Sequence, residues 1–184
     1  TSEIENGLLK VNTHKLARSS IAGCMYLPGK ETVNQRVAVE TSSLQNGDTI
    51  SVYARLSKGD DSNWKSLKGY YARYCTSNGK IQLFKINTAS KNSVLIDSGY
   101  RGYTAGEKYR LEIVVTGTQR TVISVRMIKI TETLEQVVAQ NTYVDTDSPF
   151  TSGTAGIGVA GSSSSASQYA YLDNFEYTST DNVK

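Results

Sequence analysis

Residues 69–86, GYYARYCTSNGKIQLFKI, decide the fold. Tyr70, Ala72 and Tyr74 share one face of the first run, and Tyr71 and Arg73 share the other. A second alternating run, KIQLFKI (80–86), follows after Asn78-Gly79. Period-two alternation puts successive side chains on opposite faces of an extended strand. Asn-Gly between two such runs is the strongest short-range hairpin signal, because both residues tolerate positive φ. The segment therefore predicts an antiparallel hairpin.

The same pattern extends in both directions. VAVE (37–40), TISVYARL (49–56), SVLIDS (93–98), KYRLEIVVTG (108–117), TVISVRMIKI (121–130), VVAQNTYV (137–144), AGIGVAG (155–161) and QYAYLDNFEYT (168–178) all predict strands. In TISVYARL, Ile50, Val52, Ala54 and Leu56 fall on one face, with Tyr53 and Arg55 on the other. In 121–130 the alternation is only approximate, which predicts burial on both faces or a bulge. Turn chemistry separates the runs at Asn46-Gly47-Asp48, Lys58-Gly59-Asp60-Asp61, Thr116-Gly117-Thr118 and Ser152-Gly153-Thr154. A helical repeat is hard to find, and GSSSSAS (161–167) reads as a loop between two strands. The chain has 184 residues with 22 Ser, 19 Thr, 15 Gly, 12 Tyr and only 2 Pro, a composition suited to twisted sheets. Ten or more strands without an inter-domain linker predict an all-β chain, residues 1–184 forming a single antiparallel two-sheet β-sandwich, a jelly roll.

Charge and composition exclude some partners. Twenty basic and 17 acidic side chains leave +3, dispersed along the chain, and no Lys/Arg run points to nucleic acid. No apolar run approaches the ~20 residues of a membrane span, and TSEIENGLLKV lacks a signal-peptide pattern. The absence of an initiating Met leads to the expectation of a mature or excised piece of a larger multidomain protein. Cys24 and Cys75 allow one disulfide or two buried thiols, and neither has the spacing of a zinc site. The Ser/Thr/Tyr-rich composition leads to the expectation of an extracellular, secreted or cell-surface location.

In order and spacing the pieces resemble the concanavalin A-like jelly rolls, in particular the laminin-G-like and glucanase-like branch and its carbohydrate-binding modules. GYYARY is followed by NGKIQLFKI, a short strand ending at Leu95–Asp97, AGEKYRLEIVVTG, TYVDTDSPFTSGTAGIGV and a closing YAYLDNFEY. The resemblance covers roughly residues 45–178, and the N-terminal GLLKV supplies an edge strand. It implies the sandwich fold. It does not choose a function, because lectins, carbohydrate-binding modules, hydrolases and adhesive domains share that scaffold.

The carboxylates argue against an enzyme. Retaining glycosidases need two carboxyl groups about 5 Å apart, which related hydrolases place on one strand as Glu-x-Asp-x-x-Glu. That triplet is absent. Glu132 and Glu135 would point to opposite faces of a strand, and Asp145 and Asp147 run into a turn. His14 stands alone, and neither a nucleophile elbow nor a phosphate-binding loop occurs.

A binding surface is the alternative to chemistry. Aromatic rings cover the apolar face of a pyranose while polar side chains take its hydroxyls. Tyr53/Arg55 and Tyr71/Arg73 would form a Tyr-x-Arg pair on each of two neighbouring strands, facing outward. The same side chains could instead pair across strands and stabilise the sheet. Two outward arginines would suit a carboxylated or sulfated glycan. Trp64, in the loop KGDDSNWKSLKG, is either a ligand platform or a lid, and Tyr100, Arg101 and Tyr103 in SGYRGYTAG form a second aromatic and arginine loop. By resemblance, a structural Ca²⁺ would rest on Asp173, with Asn174, Glu3 or Glu5 as partners. Asp173 could equally end a strand and bond backbone amides.

The expectation is a non-catalytic, lectin-like carbohydrate-binding module that holds an attached enzyme or adhesin near a polysaccharide. The second reading is a structural or adhesive module of a surface protein or phage virion, with a protein partner. A divergent hydrolase or lyase ranks third.

Overall fold

A computed structural model describes residues 2–13, 25–27, 31–57, 67–88, 91–161 and 169–179. Thirteen strands run through them: β1 (Ser2–Glu5), β2 (Leu8–Asn12), β3 (Met25–Tyr26), β4 (Gln35–Thr41), β5 (Thr49–Ser57), β6 (Lys68–Cys75), β7 (Lys80–Thr88), β8 (Lys91–Gly99), β9 (Lys108–Thr116), β10 (Thr121–Ile130), β11 (Glu135–Asp145), β12 (Thr154–Ala160) and β13 (Tyr169–Ser179). One sheet has seven strands in the order β1-β2-β13-β4-β9-β10-β11, and the other has six in the order β3-β12-β5-β6-β7-β8. All pairings are antiparallel. The two sheets form a β-sandwich, as expected. Among the described residues no helix is long and apolar enough to cross a membrane.

Alternation sets the core. Tyr109, Leu111, Ile113 and Val115 of β9 and Val37 and Val39 of β4 bury one face of the larger sheet. Ile50, Val52 and Ala54 of β5, with Tyr70, Ala72 and Tyr74 of β6, bury the facing side of the smaller one. The predicted hairpin closes with Cys75 opposite Lys80. Gly79, at φ +61°, takes the left-handed position that glycine adopts without steric cost. Irregularity in β10 is a bulge against β11 at Met127/Ile128, while Ile123, Val125 and Met127 face the core.

Two elements lie outside the predicted set, β1 and β3. Asn6 and Gly7, at φ +51° and +80°, turn β1 back onto β2, so the N-terminal edge is a hairpin rather than one strand. The predicted loop at 161–167 lies, past Gly161, outside the described residues.

One bulge governs the functional reading. Between Ala54 and Ser57 the β5–β6 register shifts, with Arg55 at φ +51°. Past it the parity of β5 reverses. Leu56, expected beside Ile50, Val52 and Ala54, instead joins Tyr53, Leu67, Tyr71, Phe84 and Ile86 in a separate cluster.

Candidate functional site

The predicted outward shelf on β5 and β6 is not a solvent-exposed surface. Tyr53 and Tyr71 do face away from the inter-sheet core, yet they are only 1% and 2% exposed. Their rings stack at 5.4 Å, and Tyr71 stacks on Phe84 of β7 at 4.7 Å. Cross-strand pairing is therefore their observed role. Burial pushes the Tyr71 phenol up to about 12, so it stays neutral at physiological pH. Arg73 is half-buried, gives a hydrogen bond to Gln82 Oε1 at 2.9 Å and lies over the Phe84 ring.

Arg55 departs furthest from expectation. The bulge turns its fully buried side chain toward the end of the sandwich. Its guanidinium donates to Val33 O at 2.8 Å, to Thr121 Oγ1 at 3.0 Å, and to Phe150 O and Gly117 O. Gly153 packs so closely here that an added Cβ would lie 2.3 Å from the Arg55 carbonyl carbon. Arg55 cannot present itself to a glycan in this arrangement.

The second predicted group does converge. A groove of about 250 Å³ is lined by Arg101 and Tyr103 together with Tyr74, Thr76, Ser77, Asn78 and Gly79. The end of β6 with the β6–β7 turn and the β8–β9 connection line it, and the β4–β5 connection buttresses them. Tyr100 pins the two lining segments together, since its N–H donates to Gly79 O at 2.6 Å and its carbonyl accepts from Tyr74 OH at 3.2 Å. Tyr74, Tyr100, Tyr103 and Tyr109 pack ring to ring behind it, with Tyr103 and Tyr109 4.9 Å apart. Burial, then its tyrosine neighbours, push the Tyr74 phenol up to about 12.

The polar lining is also fixed. Tyr103 OH accepts from Leu44 N at 3.0 Å, and Asn78 Oδ1 accepts from Lys80 N at 3.0 Å. Thr76 Oγ1 accepts from Gly47 N at 3.0 Å and donates to Gln45 O at 2.6 Å, which docks the β4–β5 connection onto the hairpin. Arg101 is exposed. Sequence reading missed Tyr74, Thr76, Ser77 and Asn78 as site residues. Asn78 was visible as a turn signal, but nothing local shows that this turn meets the 100–107 loop.

A second groove, of about 310 Å³, is lined by Lys85, Asn87, Ser93, Leu95, Tyr143, Asp145, Asp147 and Ser148. On its floor Lys85 Nζ meets Asp145 Oδ2 at 2.8 Å and donates to the carbonyls of Asp147 and Ser148. Tyr70 OH donates to Asp145 Oδ2 at 2.7 Å. Asp145 is thus engaged by a cation and a phenol, and its Oδ1 accepts from Asp147 N at 3.1 Å. Glu135, on the other face of the molecule, pairs with Arg110.

Asp173 does not suit a calcium ion. Its Oδ2 lies 3.3 Å from Lys108 Nζ, and its Oδ1 accepts from Asn174 N at 2.8 Å. Asn174 Nδ2 donates to Glu40, which Lys108 and Arg110 already neutralise, and Glu3 and Glu5 both pair with Lys10. A divalent ion needs six to eight oxygens and would meet ammonium and guanidinium groups here. Among the described residues no three His, Cys, Asp or Glu side chains are grouped to hold a metal. Trp64 and Cys24 lie outside the described residues; Cys75 is buried with Sγ 3.2 Å from Ser77 Oγ.

No protein-family model matches the sequence, and comparison with curated proteins finds no match. Solved structures do match. The carbohydrate-binding module CBM66 from Bacillus subtilis aligns with a TM-score of 0.60 at 16% identity, over 97% of this chain and 91% of that one. The marine PL-14 alginate lyase from Aplysia kurodai aligns with a TM-score of 0.58 at 12% identity, over 97% and 86%. A legume lectin-like domain from Entamoeba histolytica aligns with a TM-score of 0.53 at 11% identity, over 97% and 87%. Binding domains and an enzyme thus share the architecture, and at these identities the likeness is one of fold. The chain has the concanavalin A-like jelly-roll fold.

Proposed function

We propose that this chain is a non-catalytic, lectin-like carbohydrate-binding module that takes one end of a glycan into the groove beside the β6–β7 turn. The observation that carries this reading is the groove's lining, where tyrosines, an asparagine amide, hydroxyls and an exposed arginine converge. Sugar sites need that mixture of apolar rings and hydroxyl-directed polar groups. At about 250 Å³ the groove has room for a single sugar unit rather than a long segment. Engagement of Asp145 by Lys85 and Tyr70 supports a binding role over bond cleavage. A module of this kind belongs outside the cell, where it raises the local concentration of polysaccharide for an attached enzyme or adhesin.

Calorimetry over neutral and acidic polysaccharides tests the reading. Asn78→Asp keeps the turn acceptor but removes the amide donors, and Tyr103→Phe keeps the ring but removes the hydroxyl. Each should weaken binding about five- to tenfold, the value of one hydrogen bond, with the melting profile retained. Binding should survive EDTA, given the cationic partners of Asp173. Unchanged affinity in both variants would move the site elsewhere. Release of reducing ends or unsaturated products would replace the binding role with a hydrolase or lyase.

A further inference from the structure

The groove sets uncommitted hydrogen-bond donors beside a cation. Among the described residues, the exposed Arg101 guanidinium makes no hydrogen bond or ion pair. Asn78 has its carbonyl oxygen committed to Lys80 N, which leaves its Nδ2 donors available. Tyr103 OH accepts from Leu44 N, which leaves its own proton to give. Tyr74 OH, by contrast, is spent on Tyr100 O. No carboxylate is among the lining residues, and the nearby cation Lys80 is paired with Asp97 at 2.7 Å. A small concavity therefore offers one unneutralised positive charge and a set of donors, while Asp48, the carboxylate near Tyr103, is fully buried and accepts from Gln45 N at 3.0 Å.

We infer that the groove is built for an acidic sugar, a glycan unit carrying a carboxylate that Arg101 holds while Asn78 and Tyr103 take ring or carboxylate oxygens. The inference rests on the reading of this groove as a glycan site. A guanidinium presents two parallel N–H donors that match the two oxygens of a planar carboxylate, and such bonds are roughly twice as strong as neutral ones. The arginine is seated for the task, since Gly79 lies directly beneath it. An added Cβ there would come within 2.9 Å of Arg101 Cγ. An acceptor-rich acid meets every spare donor, whereas a neutral sugar would leave the guanidinium charge unmatched.

The test compares uronate-containing polysaccharides, each presented as the free acid and as its methyl ester, with neutral and sulfated glycans in calorimetric titrations of the whole chain. The acids should bind at least tenfold more tightly than their esters and lose affinity as salt rises. Arg101→Gln should weaken acid binding ten- to a hundredfold with the thermal midpoint unchanged, and Arg101→Lys should fall between. Esters or neutral glycans that bind as well as acids, or an unaffected Arg101→Gln, would overturn the acidic assignment while leaving the glycan site standing. Binding of sulfated glycans alone would overturn the carboxylate. No binding by any glycan would overturn the groove's function as a whole.

Discussion

The Arg55 guanidinium gives hydrogen bonds to atoms of Val33, Gly117, Thr121 and Phe150, so one side chain ties together three chain segments remote from its own strand. Hydrogen bonds from a charged donor contribute about 1.5–3 kcal/mol each, and a buried carbonyl left without its donor carries its own desolvation penalty. Arg55→Met should therefore lower stability by about 3–5 kcal/mol. Urea unfolding read with an unchanged slope checks this. A loss under 1 kcal/mol would mean the guanidinium is dispensable. Its role was hidden from sequence because strict alternation places Arg55 beside Tyr53, and only the left-handed backbone at Arg55 itself breaks that parity. Tyr103 and Arg101 were legible as chemistry, an aromatic next to a cation in a glycine-containing loop. Their partners Asn78 and Thr76 were not, being more than twenty residues away in the chain.

At the scale of single elements, β7 links the two concavities. Its first residue follows Gly79 of the charged-donor groove, and Lys85 and Asn87 belong to the other, roughly 20 Å along the strand at about 3.3 Å per residue. Lys85 illustrates how alternation encodes more than apolar packing. It occupies the inward parity of β7, yet it sits near the sandwich end, where Asp145 and two carbonyls of the turn after β11 receive it. Removing one member of a buried ion pair costs about 3–5 kcal/mol, because the other charge is stranded. Lys85→Met should show a loss of that size, and the double variant Lys85→Met/Asp145→Leu should recover much of it. An additive double variant in chemical denaturation would show the pair to be uncoupled. The strand set itself was almost fully legible, from alternation and turn residues. The β1–β2 hairpin was missed although Asn6-Gly7 carried the same signal as Asn78-Gly79, because only GLLKV was weighed there.

For the whole molecule, the outer face of the seven-stranded sheet is a lattice of charge that crosses strand after strand. Glu112 on β9 meets Arg36 on β4 and Arg126 on β10, and Glu40 on β4 meets Lys108 and Arg110, the latter continuing to Glu135 on β11. Burial alone would raise the Glu40 carboxyl, but hydrogen bonds from Lys108, Arg110 and Asn174 outweigh it and hold the group below the usual carboxylate range. A depressed folded pKa means that the stabilisation is complete above the unfolded value of ~4.3 and is lost as pH falls below it. Thermal midpoints of the native chain should fall through that window, and Glu40→Gln should flatten the dependence. An identical acid profile in the variant would show that other carboxylates carry it.

The anchoring of the donor groove also has a kinetic meaning. Leu44 N–H holds the Tyr103 hydroxyl and Lys80 N–H holds the Asn78 carbonyl before any visitor arrives. Only the arginine has to settle, so little ordering entropy is lost on contact and no gate must open first. Arrival should need no conformational step, so dwell time rather than arrival rate would set how firmly a ligand is held. If the partner is the glycan proposed above, a ready-made site of this kind would hold it without first having to be shaped by it.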